Sequence, residues 1–145
     1  MKIAIAGATG YTGLELTRIL SAHPHITISA LTSESYAGRA YSSVYSGYLK
    51  RELPRLEPLV PSAITAKADI IFTALPHKEA MRVIPSLLKR GKRVIDLSAD
   101  FRFKSQKTYE QWYQDHSAPS LLAKAAYGLP ELHRSAIKKA KLVAN

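Results

Sequence analysis

The residues that most constrain the fold are three glycines at every third position, Gly7, Gly10 and Gly13, in the stretch GATGYTG. An apolar run with β-branched residues covers residues 2–6 before them, and such a run is typical of a central parallel strand buried on both faces. A helical apolar pattern follows over residues 12–22. The sequence therefore predicts a strand, a glycine loop and a helix in direct succession.

That succession favours a dinucleotide-binding loop. One glycine permits the tight turn out of the strand, one lets the backbone approach a pyrophosphate, and one allows the helix to pack closely on the sheet. Free amides at the helix N-terminus favour negative charge. A glycine-rich turn without a nucleotide is the alternative, but the glycines and both flanking elements fit the nucleotide loop. The loop residues predicted to contact the cofactor are Gly7, Thr9, Gly10, Tyr11, Thr12 and Gly13.

Strands and helices alternate along the rest of the chain. Apolar runs predict strands over residues 26–32, 69–74, 93–97 and 142–144, and helical patterns cover residues 77–90, 108–114 and 135–141. No regular element is predicted for the polar segment 33–61. The alternation indicates an α/β fold of Rossmann type, with a doubly wound, mostly parallel sheet and helices on both faces. We expect one domain over residues 1–145.

Composition limits the class of protein. No apolar run approaches the roughly 18 residues of a membrane span, and no signal peptide precedes the first predicted strand. The chain has no cysteine, so we expect a reducing, cytoplasmic location and no thiolate metal site. The net charge of +10 comes from scattered basic residues, which suit a solvated surface or the attraction of small anions better than nucleic acid.

The residues after the second predicted strand bear on which dinucleotide binds. An NAD site usually has an acidic residue there, on the ribose 2′-hydroxyl. Here Thr32, Ser33 and Arg39 offer hydroxyls and a guanidinium, which suit a 2′-phosphate. Glu34 argues for NAD if its carboxylate points inward, and a surface turn without a ligand role is the remaining alternative. We predict NADP(H) as the cofactor, with contacts from Thr32, Ser33 and Arg39.

Two further groups follow strands at their carboxyl ends. Leu75, Pro76 and His77 follow one strand and are predicted to line the cofactor cleft, although His77 alternatively caps the next helix. Ser98, Asp100 and Arg102 follow the strand predicted over residues 93–97, and the arginine guanidinium is suited to bind a phosphate or carboxylate group. The alternative is an Asp100–Arg102 pair that holds the loop.

The remaining aromatic and histidine residues carry no evident chemistry. Tyr41, Tyr45 and Tyr48 lie at helical spacing and are interpreted as packing or a subunit contact. The other histidines have no metal-ligand spacing and are predicted to lie at the surface; they are His23, His25, His116 and His133. No metal site is expected.

Taken together in their order, the motifs GATGYTG, TSESYAGR, ALPH, VIDLSADFR, YGLPEL and VAN resemble the N-acetyl-gamma-glutamyl-phosphate reductase family of arginine biosynthesis. GATGYTG is shared with many reductases, whereas LSADFR and YGLPEL are specific. Glu34 departs from the family pattern, in which a basic residue often follows the serine. In this family Pro-Gly and the catalytic cysteine follow the VAN motif, so we expect an N-terminal domain that ends just before the nucleophile.

The resemblance implies a function. The full enzyme converts N-acetyl-glutamyl 5-phosphate to N-acetylglutamate 5-semialdehyde and phosphate with NADPH, through a cysteine thioester. It implies a homo-oligomer with a separate catalytic and dimerisation domain. Ser98, Arg102 and Asn145 are the expected substrate-binding residues, Arg102 by analogy with aspartate-semialdehyde dehydrogenases. The alternatives are an aspartate-semialdehyde dehydrogenase relative and a stand-alone NADP-binding regulatory module. We expect this chain alone to bind NADP(H) without turnover.

Overall fold

The computed structural model describes residues 1–145, and internal contacts divide them into two units, Met1–Ala74 and Leu75–Asn145. In each unit the strands pair in parallel and alternate with helices. This arrangement confirms the predicted Rossmann-type α/β class. No helix combines the length and the apolar character that crossing a membrane requires.

The first unit contains four parallel strands in the order β3-β2-β1-β4. Its elements, in chain order, are β1 (Lys2–Ala6), α1 (Tyr11–Leu20), β2 (Thr27–Thr32), α2 (Tyr41–Val44), a 3₁₀ turn (Ser46–Tyr48), β3 (Leu56–Glu57), α3 (Pro61–Lys67) and β4 (Ile70–Thr73). Strand β1 lies between β2 and β4 and is buried from its second residue onward. Because parallel crossovers are right-handed, α1 and α3, which lead in opposite directions across the sheet, lie on opposite faces.

The second unit contains three parallel strands in the order β5-β7-β6. Its elements are α4 (Glu79–Lys89), β5 (Arg93–Asp96), α5 (Gln106–Trp112), a 3₁₀ helix (Pro119–Lys124), β6 (Ala126–Tyr127), α6 (Pro130–Lys139) and β7 (Leu142–Ala144). Helix α4 ends before Gly91, whose φ of 78° places it in the left-handed region. That conformation favours glycine and ends the helix close to residue 90, where the predicted helical pattern stops.

Segment 33–61, for which no element is predicted, contains α2, the 3₁₀ turn and β3. These elements are two to four residues long, too short for a periodic pattern to develop. The tyrosines within them pack together. The Tyr41 ring lies 5.3 Å from that of Tyr45 and 5.1 Å from that of Tyr48. Tyr41 and Tyr48 are buried in the core cluster of β1 and β2, which confirms their interpretation as packing residues.

Helix α1 presents a less apolar face to the sheet than its sequence suggests. Its buried positions are Gly13 and Thr17, and the Thr17 hydroxyl donates a hydrogen bond to the Gly13 carbonyl at 2.8 Å. Ile19, part of the apolar pattern, is 50% exposed. Small residues at the contact let the helix approach the β1 loop closely, and the larger leucines pack at the sides of this contact.

Candidate functional site

The glycine loop leaves β1 through Gly7, whose φ of 81° lies in the left-handed region that favours glycine. The end of β2 then holds the loop. The Gly7 amide donates to the Thr32 hydroxyl at 3.2 Å, and the Ala8 amide donates to the Thr32 carbonyl at 2.8 Å. Thr32 therefore fixes the start of the loop with both its side chain and its backbone.

The three glycines serve three different needs. A Cβ on Gly13 would lie 2.1 Å from the Gly7 carbonyl oxygen and 2.7 Å from the Ala8 Cα, so Gly13 is required for helix α1 to touch the loop. A Cβ on Gly10 would have its nearest neighbour at 3.7 Å, an ordinary contact. The protein itself leaves room at Gly10, and this is the space that a ligand would need.

The N-terminus of α1 offers unused donors. Gly10 is its N-cap and supplies no side chain, and the first backbone hydrogen bond into the helix runs from the Leu14 amide to the Gly10 carbonyl at 2.8 Å. The first-turn amides before Leu14 are left without intrahelical acceptors, and no acidic side chain occupies that turn. The free amides, the helix dipole and the space at Gly10 fit the pyrophosphate of a dinucleotide.

Two of the predicted site residues at this end of the helix are hydrogen bonded to each other. The Thr9 and Ser33 hydroxyls lie 2.7 Å apart, and Ser33 is buried. Tyr11, in contrast, is 96% exposed at the first position of α1, and Thr12 is exposed beside it. The structure thus brings Thr9, Thr32 and Ser33 together around the loop and leaves Tyr11 and Thr12 at its open side.

The two charged residues that bear on cofactor choice have different surroundings. The Glu34 carboxylate accepts a hydrogen bond from the Leu59 amide at 2.9 Å, which ties it to the segment after β3. The Arg39 guanidinium is exposed, lies 5.6 Å from the centre of the Tyr36 ring and makes no ion pair. The Arg39 guanidinium has no ion-pair partner, whereas the Glu34 carboxylate is already hydrogen bonded.

In the second unit, the turn that leads into α4 is held by Asp100. One Asp100 oxygen accepts the amides of Lys78 and Met81, both at 3.2 Å, and so caps the helix. His77 does not cap it. His77 is exposed, its Nδ1 lies 3.6 Å from the other Asp100 oxygen, and its ring lies 5.5 Å from that of Tyr113. Leu75, partly exposed, and Pro76, exposed, precede it; cofactor contacts from these three residues stay a prediction.

The segment after β5 forms a tight polar turn. The buried Ser98 hydroxyl donates to an Asp96 carboxylate oxygen at 2.7 Å and accepts from the Asp100 amide at 3.1 Å. Arg102 is exposed, and its guanidinium donates to the carbonyls of Asn145 at 3.0 Å and Leu97 at 3.2 Å. Arg102 and Asn145 therefore meet, and the alternative in which Arg102 pairs with Asp100 is not what the structure has.

The sequence offers Asp100 only as a partner of Arg102, whereas in the structure it binds several other groups of this unit. It is fully buried, and its second oxygen accepts the Tyr109 hydroxyl at 2.8 Å. Burial, together with this hydrogen bond to a carboxylate, raises the pKa of Tyr109. The turn into α4 and helix α5 are thus joined through one carboxylate.

His116 corrects a prediction, because it is buried rather than at the surface. Its Nδ1 accepts the Ala118 amide at 3.0 Å, and its Nε2 lies 2.7 Å from the Asp100 carbonyl oxygen. Since Nδ1 accepts, Nε2 carries the proton and donates to Asp100. Backbone partners for both ring nitrogens are invisible in a sequence, which shows only that no metal-ligand spacing is present.

Gly128, in the YGLPEL motif, is a second residue whose role emerges only in the structure. A Cβ there would lie 2.7 Å from the Asn145 Cα and 3.0 Å from the Ala144 carbonyl oxygen. The Gly128 amide donates to that same carbonyl at 2.7 Å. The absence of a side chain lets the segment after β6 run against the end of β7, where Asn145 lies.

Comparison with known proteins agrees with this geometry. The family model of the semialdehyde dehydrogenase NAD-binding domain matches residues 2–140. N-acetyl-gamma-glutamyl-phosphate reductase of Geobacter sulfurreducens is 57% identical over all 145 residues, and the protein of the same name from Desulfotalea psychrophila is 52% identical over the same length. The chain spans 42% of the length of each of these curated relatives. They confirm the resemblance carried by the motifs.

Solved structures support the fold. Aspartate semialdehyde dehydrogenase with NADP from Candida albicans has a TM-score of 0.66 at 22% identity, over 94% of this chain and 35% of that one. Aspartate semialdehyde dehydrogenase II complexed with ASA from Vibrio cholerae has a TM-score of 0.68 at 19% identity, over 99% of this chain and 40% of that one. With a family match across nearly its whole length, the chain belongs to the semialdehyde dehydrogenase NAD-binding domain family.

Proposed function

We propose that this chain is the cofactor-binding domain of an N-acetyl-gamma-glutamyl-phosphate reductase. Such an enzyme reduces N-acetyl-glutamyl 5-phosphate to the 5-semialdehyde with NADPH and releases phosphate. The observation that carries the proposal is the 57% identity over the entire chain to a protein of that name. The dinucleotide geometry of the glycine loop supports it independently. A cytoplasmic location and a homo-oligomeric whole enzyme form part of the same proposal.

The bound cofactor supplies hydride chemistry, and the protein supplies binding and orientation. In this proposal the free amides at the start of α1 bind the pyrophosphate, Gly10 admits it, and Gly7 and Gly13 set the shape of the loop. The hydroxyls of Thr9, Thr32 and Ser33 lend the loop rigidity, because each is already hydrogen bonded within it. Tyr11 and Thr12 are left free to contact the ligand from the open side.

We propose NADP(H) over NAD(H) because of the two charged residues after β2. The Arg39 guanidinium, which makes no ion pair, suits the 2′-phosphate, which it can bind with a fork of donors. The Glu34 carboxylate, which would favour a 2′-hydroxyl, is drawn to the Leu59 amide instead. The charge of Arg39 thus compensates for the acidic residue that departs from the family pattern.

We propose Arg102 as the contact for the substrate phosphate. A guanidinium has five N–H donors, and the bonds to the Asn145 and Leu97 carbonyls leave others available. The Ser98 hydroxyl is buried with both its hydrogen bonds made inside the turn, so its contribution in this proposal is to shape the turn that presents Arg102. Asn145 is proposed to lie at the substrate end through its contact with Arg102.

Two measurements test the proposed function. Titration of the 145-residue chain should give saturable NADPH binding at one site and weaker NADH binding, with no turnover, because the chain lacks the cysteine nucleophile. Failure to bind NADPH would refute the cofactor role.

Joining this chain to the remaining part of the Geobacter sulfurreducens relative should give phosphate-dependent oxidation of N-acetylglutamate semialdehyde with NADP⁺. The matched chimera carries the remaining part of an aspartate semialdehyde dehydrogenase and should be inactive on aspartate semialdehyde. Activity of the second chimera alone would favour the rival enzyme, and activity of neither would leave the regulatory module as the better description.

A further inference from the structure

The three tyrosines Tyr41, Tyr45 and Tyr48, which we call the tyrosine cluster, do more than pack. Each hydroxyl points to a backbone carbonyl in the strand–loop–helix unit. Tyr41 donates to the Ala8 carbonyl at 3.1 Å, and Tyr45 donates to the Thr9 carbonyl at 2.6 Å. Tyr48 reaches the Leu14 carbonyl, inside helix α1, at 3.5 Å. Two of the three phenols therefore end on the glycine loop itself.

The carbonyls that these phenols hold decide where the loop amides point. A trans peptide is planar, and its N–H points opposite to its C=O. With the Ala8 carbonyl directed to Tyr41, the Thr9 amide points away from the tyrosine cluster. The Thr9 amide has no hydrogen-bond partner in the protein, whereas its neighbours at Ala8 and Gly10 donate to Thr32 and Gly7. It is a free donor held in a fixed direction.

Without such a restraint the loop has a second conformation within reach. Rotating the peptide between Thr9 and Gly10 by about half a turn would move the φ of Gly10 from −77° into positive values. Glycine accepts positive φ as readily as negative, so Gly10 does not oppose this rotation. The rotation would break the 3.3 Å hydrogen bond from the Gly10 amide to the Gly7 carbonyl and would turn the Thr9 carbonyl oxygen toward that carbonyl. The lack of a side chain at Gly10, which makes room for the ligand, also removes the steric barrier of a Cβ to this rotation. The peptide is therefore held by its two hydrogen bonds, from the Gly10 amide to Gly7 and from the Tyr45 hydroxyl to the Thr9 carbonyl.

We propose that Tyr45, assisted by Tyr41, is a positioning residue that holds the two peptides around Thr9 in the orientation that a dinucleotide pyrophosphate requires. This inference rests on the proposed cofactor function. The hydroxyls of Tyr41, in α2, and of Tyr45, directly after it, thus contribute to ligand affinity, and their rings contribute separately to packing in the core.

The test compares three single substitutions that each remove one hydroxyl and keep the ring: Tyr41→Phe, Tyr45→Phe and Tyr48→Phe. Tyr48→Phe is the matched control, because its hydroxyl reaches α1 rather than the loop. Two ligands are titrated against the 145-residue chain. NADPH carries the pyrophosphate, and 2′-AMP carries the 2′-phosphate without it.

Loss of the Tyr45 hydroxyl should weaken NADPH binding by about 5-fold to 10-fold, the equivalent of one hydrogen bond. Binding of 2′-AMP should be unchanged, and Tyr48→Phe should alter neither. Tyr41→Phe should weaken NADPH in the same direction. In ¹⁵N spectra of the free Tyr45→Phe chain, the Gly10 amide should broaden as its peptide exchanges between two orientations.

Equal NADPH affinity in Tyr45→Phe and the unaltered chain would overturn the inference, and so would equal weakening of NADPH and 2′-AMP. Both results assume an unaltered chain that binds NADPH, so they leave the proposed function intact. An unaltered chain that does not bind NADPH refutes the proposed function and this inference together.

Discussion

Gly13 and Gly7 are in backbone contact: a Cβ built on Gly13 would lie 2.1 Å from the Gly7 carbonyl oxygen. No flexible side chain can move aside to relieve such an overlap, because the neighbouring atoms belong to the main chain of the loop. The start of α1 and the exit of β1 thus form one rigid piece. The fold itself therefore requires glycine at position 13, whether or not a ligand is bound.

Gly13→Ala should therefore destabilise the fold, by about 3 kcal/mol in the free energy of unfolding. Denaturant unfolding followed by circular dichroism measures the loss. Gly47→Ala is the control, since a Cβ there meets nothing within 4 Å, and its effect should stay within about 0.5 kcal/mol. Equal stability of the two variants would contradict the close contact.

Gly10→Val should separate folding from binding. The protein leaves a 3.7 Å approach at this Cβ, and the φ and ψ of Gly10 suit any residue, so the cost in stability should be no more than about 1 kcal/mol. The branched side chain would fill the space assigned to the pyrophosphate, and NADPH affinity should fall more than about 10-fold. Calorimetric titration measures the affinity; normal binding by the folded variant would refute the loop assignment.

Arg39→Ala should weaken NADPH binding by about 10-fold and leave NADH binding nearly unchanged, because only NADPH carries the 2′-phosphate. Arg51→Ala removes the same charge from a residue that binds Ser21, beyond the C-terminal end of α1. This control should affect neither ligand. If Arg39→Ala weakened NADPH and NADH binding by the same factor, the guanidinium would not bind the 2′-phosphate.

The buried tyrosines should make stability depend on pH in the alkaline range. Burial raises the pKa of Tyr41 to about 12, and burial also raises the pKa of Tyr48. The folded chain therefore keeps these phenolic protons after the unfolded chain has lost them. The free energy of unfolding should be insensitive to these groups below about pH 10 and should fall as pH rises from there toward about 12.

Unfolding measured from about pH 8 to about pH 12, with tyrosinate absorbance recorded in the folded state, checks this dependence. Tyr41→Phe should show a shallower fall than the unaltered chain. If all eight tyrosines of the folded chain ionised together near about pH 10, the expectation would be wrong.

Long patterns made part of the fold predictable. The buried run of β1 and the helical spacing of α1 and α4 extend over enough residues to fix their type. Strands β3 and β6 have only two residues each, and their extended conformation depends on pairing with a neighbouring strand. Because two residues do not identify the strand with which they pair, their own sequence could not predict them.

The candidate site divides in a similar way. The glycine spacing predicted the loop, because the chemistry of the loop depends on missing side chains at fixed intervals. The partners of Glu34 and His116, and the amides that Asp100 caps, could not be predicted, since each is a backbone amide or carbonyl and every residue type supplies those alike. Which amide a carboxylate meets depends on the path of the chain, and Leu59 lies 25 residues from Glu34.

Lys78 is the one non-glycine residue with a positive φ, at 76°. An L residue pays about 1 kcal/mol or more for such a backbone, and Asp100 holds it there through the Lys78 amide. The side chain is exposed, so Lys78→Gly would remove the strain without disturbing the core. For protein engineers this turn is a reserve of stability, open to a single surface substitution that needs no repacking.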